Sequence, residues 1–147
     1  MRLSSDLREF LELLNSRGIE YVIVGAHSLA FHGRPRYTGD LDILISPTQE
    51  NAAKLVDLLN DFGFAASKFE ESDFIEPEQM IQLGRVPNRI DVLTSITGVA
   101  TAEAFATKIS TELDGIPVFI LGKDALMQNK RAVGRPQDLA DLDLLES

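Results

Sequence analysis

The sequence predicts an α/β (α+β) fold, a mixed β-sheet flanked by helices. Three observations carry that expectation. Segments with helical periodicity alternate with short β-branched runs along the chain. Gly or Pro stands at most changes of pattern. Two late apolar runs bracket a turn, so at least one strand pair is antiparallel.

Taken in order, Leu7, Phe10, Leu11 and Leu14 recur at helical spacing, Ser4 or Ser5 is placed to cap, and Gly18 stops the pattern. A helix over 4–17 follows. EYVIV, 20–24, reads as a buried strand. Gly25 breaks it, and AHSLAFHG reads as a short helix ended by Gly33. RPRYTG is a loop, and DLDILIS, 40–46, is the next strand. Pro47 and Thr48 open a helix that runs toward Asp61 and ends at Gly63. Residues 64–76 fit a strand or an irregular loop, with Phe64, Phe69 and Phe74 as its apolar positions. QMIQLGRVPNRIDVLTSI, 79–96, reads as a hairpin turning at Val86, Pro87 and Asn88. A short helix over 101–108, a turn at Asp114-Gly115, a strand over 116–121 and helices over 122–132 and 136–146 complete the series. No repeat, linker or low-complexity tract divides the 147 residues, so a single domain over 1–147 is expected. A chain of this size buries roughly two thirds of its surface on folding, enough for a core without staples.

Composition narrows the function classes. The chain has no cysteine, which excludes disulfides and thiolate metal sites. The N-terminal segment is interrupted by Asp6, Arg8, Glu9 and Glu12, unlike a signal peptide. No apolar run reaches the ~20 residues of a membrane span, so a cytoplasmic protein without membrane partners is expected. A net charge of −9 disfavours non-specific nucleic-acid binding. Two basic clusters still offer local anion sites: Arg34 with Arg36, and Lys123 with Lys130, Arg131 and Arg135. A solvated surface is their simpler reading.

Chemistry concentrates in Asp40-Leu41-Asp42. Residues two apart on a strand share a face, so Asp40 and Asp42 project together while Leu41 and Ile43 point the other way. Carboxylates side by side beside a buried strand repel each other and lose hydration. A magnesium ion, which takes oxygen ligands and keeps waters for substrate phosphates, compensates such a pair. Asp91 lies in a second apolar strand, RIDVL, where aspartate is uncommon. The strand-to-helix turn VGAHS offers the free amides of Gly25, Ala26, His27 and Ser28, and the Ser28 hydroxyl, to a phosphate. Each feature alone has a bland reading: a solvent-exposed strand start or an ordinary helix entry.

In order, VGAHSLAFHGRPRYTGDLDILI and then RIDVL resemble the nucleotidyltransferase-fold proteins, the DNA polymerase β superfamily. The wording is most similar to the bacterial AbiEii-like abortive-infection toxins and their small uncharacterised nucleotidyltransferase relatives, through His32, Arg36, Thr38, Asp40 and Asp42. KRAVGRPQDLADLDLL, with Lys130, Arg135, Asp138 and Asp141, is similar to their C-terminal element. The likeness runs from about 20 to 145. Ala26 stands where a second Gly or a Ser is commonest, Gln137 where Lys is frequent, and the larger toxins add a second domain.

The resemblance implies a nucleotidyltransferase-like core and metal-dependent transfer of a nucleoside monophosphate from an NTP to RNA, protein or a small molecule. Asp40, Asp42 and Asp91 would be both catalytic residues and ligands of Mg2+ or Mn2+. Gly25 and Ser28 would cradle the triphosphate, with Arg36 and Lys130 neutralising it. It implies a toxin–antitoxin-like setting with an RNA or protein acceptor. A homodimer or small protein partner also fits, and GVATAEAFA, 98–106, is an apolar stretch suited to self-association. The departures favour an alternative, a catalytically inactive nucleotide- or partner-binding module of the same fold. For Asp138 and Asp141 the structural reading is preferred: they pair with Arg135 or position Lys130.

Overall fold

The first helix, α1 (Ser5–Ser16), starts where the Ser4 hydroxyl accepts the Leu7 N–H. It ends in a Schellman turn: Gly18 adopts a left-handed φ of 66°, its N–H reaches the Asn15 carbonyl, and the Ile19 N–H reaches that of Leu14. Strand β1 (Tyr21–Val24) leads directly into α2 (Gly25–His32). Strand β2 (Leu41–Ile45) precedes α3 (Gln49–Leu59), capped by Thr48. Strands β3 (Met80–Leu83) and β4 (Ile90–Leu93) form the expected antiparallel hairpin. Helix α4 (Thr101–Ala106), strands β5 (Ile109–Leu113) and β6 (Ile116–Ile120), and helices α5 (Lys123–Val133) and α6 (Pro136–Glu146) follow. This computed structural model describes residues 3–33, 39–64, 68–84 and 89–146; the expected hairpin turn at Val86–Asn88 lies outside them.

The strands form one mixed six-stranded sheet in the order β3-β4-β2-β1-β6-β5. β2 pairs antiparallel with β1 and parallel with β4, and β6 runs parallel to β1. Alternation along the strands splits the core in two. Tyr21, Ile23, Leu41, Ile43, Ile45, Ile90, Val92, Val118 and Ile120 pack with Phe10, Leu14, Leu55 and Leu58 of α1 and α3. Val22, Val24 and Leu44 pack on the other side with Leu29, Ala104, Ala125, Leu126 and Leu145 of α2, α4, α5 and α6.

One sequence expectation changes, and one left open is narrowed. Residues 109–113 are a strand that the sequence reading did not assign, lying at the sheet edge and pairing with β6. Its burial alternates only weakly, because edge strands cover one face incompletely. Within 68–76 there is no strand but a 3-10 turn, Glu71–Phe74, that plants Phe74 fully in the core.

At the end of the sheet remote from Asp42, buried Asn51 joins three elements. Its amide accepts the Glu20 N–H (2.7 Å) and donates to the Glu20 and Ser46 carbonyls (3.0 Å each). The start of β1, the exit of β2 and the first turn of α3 are thereby fixed to one another, which holds the β1–β2 pair in register.

Candidate active site

Register brings the carboxylates together. β2 and β4 run parallel with Asp42 opposite Asp91, and across the antiparallel β1–β2 pair Asp42 lies opposite Val24. The end of β1, the starts of β2 and β4, and the N-terminus of α2 therefore meet at one place. Asp42 and Leu44 share the α2 face of the sheet, as do Asp91 and Leu93, whereas Leu41 and Ile43 pack toward α1 and α3.

Gly25 makes this meeting possible. Its φ of 68° is left-handed, and a Cβ there would overlap Asp42 Oδ2. Nothing larger than hydrogen fits between the helix entry and the carboxylate. Val24, the α2 N-cap residue, supplies no side-chain cap, so the first-turn amides are left for solvent or a ligand.

Asp42 and Asp91 share a hydrogen bond in a crowded acidic setting. Burial, that hydrogen bond, and the charges of Asp91 and Asp40 push Asp42 up to about 7, with only the Arg89 charge opposing. Protonated Asp42 is the form this setting favours. Asp91 is buried, and its Oδ1 has no hydrogen-bond partner among the described residues. Arg89 binds Asp40 Oδ2 at 2.9 Å and Asp91 Oδ2 at 3.4 Å through Nη2.

The sequence reading did not single out Arg89. Its signal was the spacing Arg89-x-Asp91, which places both side chains on one face of the strand.

As it stands, no group of three or more His, Cys, Asp or Glu among the described residues is gathered closely enough to hold a metal. The donor chemistry nevertheless fits magnesium, which is usually held by one or two carboxylates, with waters and phosphates completing its shell. Asp42 and Asp91, one with an unpartnered oxygen, supply that pair.

The remaining candidates are placed as follows. Ser28 is fully buried, and its hydroxyl donates to the Gly25 carbonyl at 2.8 Å, bracing the α2 turn from within. His27 is buried beside Asp40 with neither ring nitrogen paired among the described residues. Burial holds its imidazole below the ordinary value, against the opposing pull of the Asp40 backbone and charge. His32 donates from Nε2 to the Leu121 carbonyl at 2.6 Å and ties α2 to the end of β6. Lys123 is exposed at the start of α5. Arg34, Arg36 and Thr38 lie outside the described residues.

Lys130 is drawn into a separate network between α5 and α6. Its ammonium lies 3.4 Å from Asp138 and 3.1 Å from Asp141, both buried. Asp138 also accepts the Arg135 N–H and guanidinium, closing the start of α6. Arg135 is the main reason that the Asp138 carboxyl falls to about 2.

No protein-family model matches this sequence, and no curated protein matches it by sequence. Solved structures do match its fold. The Thermotoga maritima protein TM1012, provisionally assigned as a nucleotidyltransferase, aligns over 93% of this chain and 88% of its own with a TM-score of 0.58 and 18% identity. The lincosamide antibiotic adenylyltransferase LnuA, in its lincomycin-bound form, aligns over 100% and 99% with a TM-score of 0.60 and 13% identity. An antigenic nucleotidyltransferase-like protein from Paracoccidioides brasiliensis aligns over 98% and 76% with a TM-score of 0.58 and 15% identity. The mixed six-stranded sheet with its two helical layers thus has the nucleotidyltransferase-like fold along nearly its whole length.

Proposed function

We propose that this chain transfers a nucleoside monophosphate from an NTP to a hydroxyl acceptor. The observation that carries the reading is the register of Asp42 opposite Asp91 beside a glycine whose missing side chain leaves room for the carboxylate. That arrangement sets an acidic pair against a helix N-terminus, an anion site against a cation site.

In this reading Asp42 and Asp91, with Asp40 at the rim, hold Mg2+ or Mn2+, and the α2 amides from Gly25 onward face the triphosphate. The metal, when bound, supplies charge neutralisation for the phosphates and for the attacking oxygen. The acceptor oxygen forms a bond to the α-phosphorus, the bond to the bridging oxygen breaks, and pyrophosphate leaves. The acceptor proton passes to the carboxylate pair, with Asp91 as its base. Arg89, paired with Asp40 and Asp91 beside the residues that would hold the metal, would offer its guanidinium to phosphate oxygens. Arg36 would also serve the triphosphate. Ser28 supports the turn rather than touching phosphate, because its hydroxyl is already committed to Gly25.

RNA, protein and small-molecule acceptors all remain compatible with this reading, and an AbiEii-like ancestry would add a toxin–antitoxin-like role in the cytoplasm. LnuA, an antibiotic adenylyltransferase, is the precedent for a small-molecule acceptor on this fold. No helix among the described residues is long and apolar enough to cross a membrane. One domain and a homodimer or small protein partner belong to the same reading.

A second reading has its own observation. Arg89 already pairs with Asp40 and Asp91, and Lys130 already pairs with Asp138 and Asp141. A chain whose cations are spent internally suits an inactive nucleotide- or partner-binding module.

Thermal unfolding separates the two. Wild type and the Asp40→Asn/Asp42→Asn variant are titrated with magnesium and each NTP, since a ligand bound only by the native state raises the melting temperature. The transferase reading expects a shift in wild type alone, only with metal and NTP together, and pyrophosphate release once an acceptor is supplied. A shift without release in the presence of acceptors supports the inactive module. No shift in either protein sinks the nucleotide reading.

A further inference from the structure

Among the described residues, the front face of the sheet, the side bearing Asp42 and Asp91, is covered by helices over β1, β2 and β6 but not along β3 and β4. A cavity of about 580 Å³ occupies this part, lined by Pro77–Met80 and by Leu93 with Ser95–Gly98. Drug-sized ligand sites span roughly 300–1,000 Å³.

Its position relative to the carboxylates follows from register. Gln82 lies opposite Asp91, and Met80 lies opposite Leu93. Residues opposite one another share a face, so the floor of the cavity continues the Asp91 row. Leu93 is two residues beyond Asp91, about 7 Å along the strand. Both walls are held in place. Thr94 accepts the Gln79 N–H and donates to the Glu76 carbonyl, which fixes the first wall. Gln128 and Asn129 of α5 donate to the Gly98 and Thr97 carbonyls, and Gly98 sits so close to Ala132 that a Cβ there would overlap it.

We infer that this cavity is the acceptor subsite and that it takes a small amphipathic molecule, neutral or cationic, that presents a hydroxyl to Asp91. The inference rests on the transferase reading for its reaction, though not for its binding. Pro77, Met80, Leu93 and Ile96 offer an apolar bed of a few side chains, too small for a stacked run of nucleotides. Met80 is 61% exposed, an apolar side chain left uncovered at the mouth. Gln79, Ser95 and Thr97 add neutral hydrogen-bonding groups, and among the described residues the one charged lining residue is Glu78. Among the described residues no lining side chain is basic, so a phosphate backbone finds no cation among them, whereas an amine finds Glu78. Transfer joins the hydroxyl oxygen to the α-phosphorus, releases pyrophosphate and leaves the proton on the carboxylate pair.

The chain has no tryptophan, so Met80→Trp at this exposed position makes a unique fluorescent reporter. The full-length variant is titrated with propranolol, a cationic aryl amino alcohol, with Mg–ATP and with a single-stranded RNA hexamer. The inference expects a saturable emission shift with propranolol and none with RNA or Mg–ATP. Adding Thr97→Arg at the opposite wall should weaken the propranolol response about tenfold or more, by steric block and like charge. It should leave the Mg–ATP melting shift of the protein unchanged. A response to RNA, a response to Mg–ATP that marks a nucleobase pocket, or silence toward all three overturns the inference. A propranolol response in a protein whose melting point ignores Mg–ATP removes the acceptor role and points the failure at the transferase reading instead.

Discussion

Asp42 shows how much a single side chain can report. Its carboxyl, ordinarily near 3.8, is pushed up to about 7 by burial first, then by the hydrogen bond to Asp91 and the neighbouring acidic charges. The folded chain therefore holds a proton there that the unfolded chain gives up at much lower pH. The stability this group contributes is fully present below its ordinary value and is lost as pH rises through about 7. Without metal, urea denaturation should show wild type losing stability between about pH 4 and pH 7 relative to Asp42→Asn, which does not titrate there. A constant gap between the two proteins would show that the pair is not coupled. Divalent metal should invert the trend, because it displaces that proton and binds more tightly as pH rises. The three aspartates could be picked from the sequence because two strands each carried an acid among apolar neighbours. Arg89 was harder to see. A single arginine beside a strand looks like any solvated charge, and only the β2–β4 register shows that it reaches Asp40.

Helices α5 and α6 are joined through charge. Lys130 has a side chain only 13% exposed and faces two buried carboxylates. Lys130→Met leaves Asp138 and Asp141 without that cation and should cost about 3–5 kcal/mol in urea denaturation, the usual result of breaking a buried pair from one side. Restoring neutrality with Lys130→Met/Asp138→Asn/Asp141→Asn should recover much of it. If Lys130 serves the triphosphate instead, the single variant keeps its stability and loses the Mg–NTP melting shift. Sequence periodicity located these helices to within a residue or so of their ends, because Gly134 and Pro136 mark the break between them. It failed at β5. Ile109-Ser110-Thr111-Glu112-Leu113 carries only two apolar residues, as an edge strand can, and so lacked the dense β-branched signature of β1.

At the scale of the whole chain, the order of the helices and of every strand but β5 could be read because each of those elements had its own local signal. The sheet order could not. The crossing that carries the chain from β4 to the far side of β1 depends on which apolar faces meet, and that is a long-range property. The cavity beside Leu93 was equally hidden, since its walls come from segments brought together only by the β3–β4 pairing and by α5. The contact of Gly25 with Asp42 joins these scales, because two residues seventeen positions apart occupy space that admits one side chain. Position 25 and position 42 should therefore change together. In natural sequences of this fold that share this entry turn, a side chain at the first position should occur only where the second has lost its carboxylate. An alignment of relatives, once assembled, would check this. Such a paired change would mark lineages that kept the scaffold and abandoned phosphate chemistry, whereas a bulky residue at the first position with the carboxylate intact would show that the turn can be built another way.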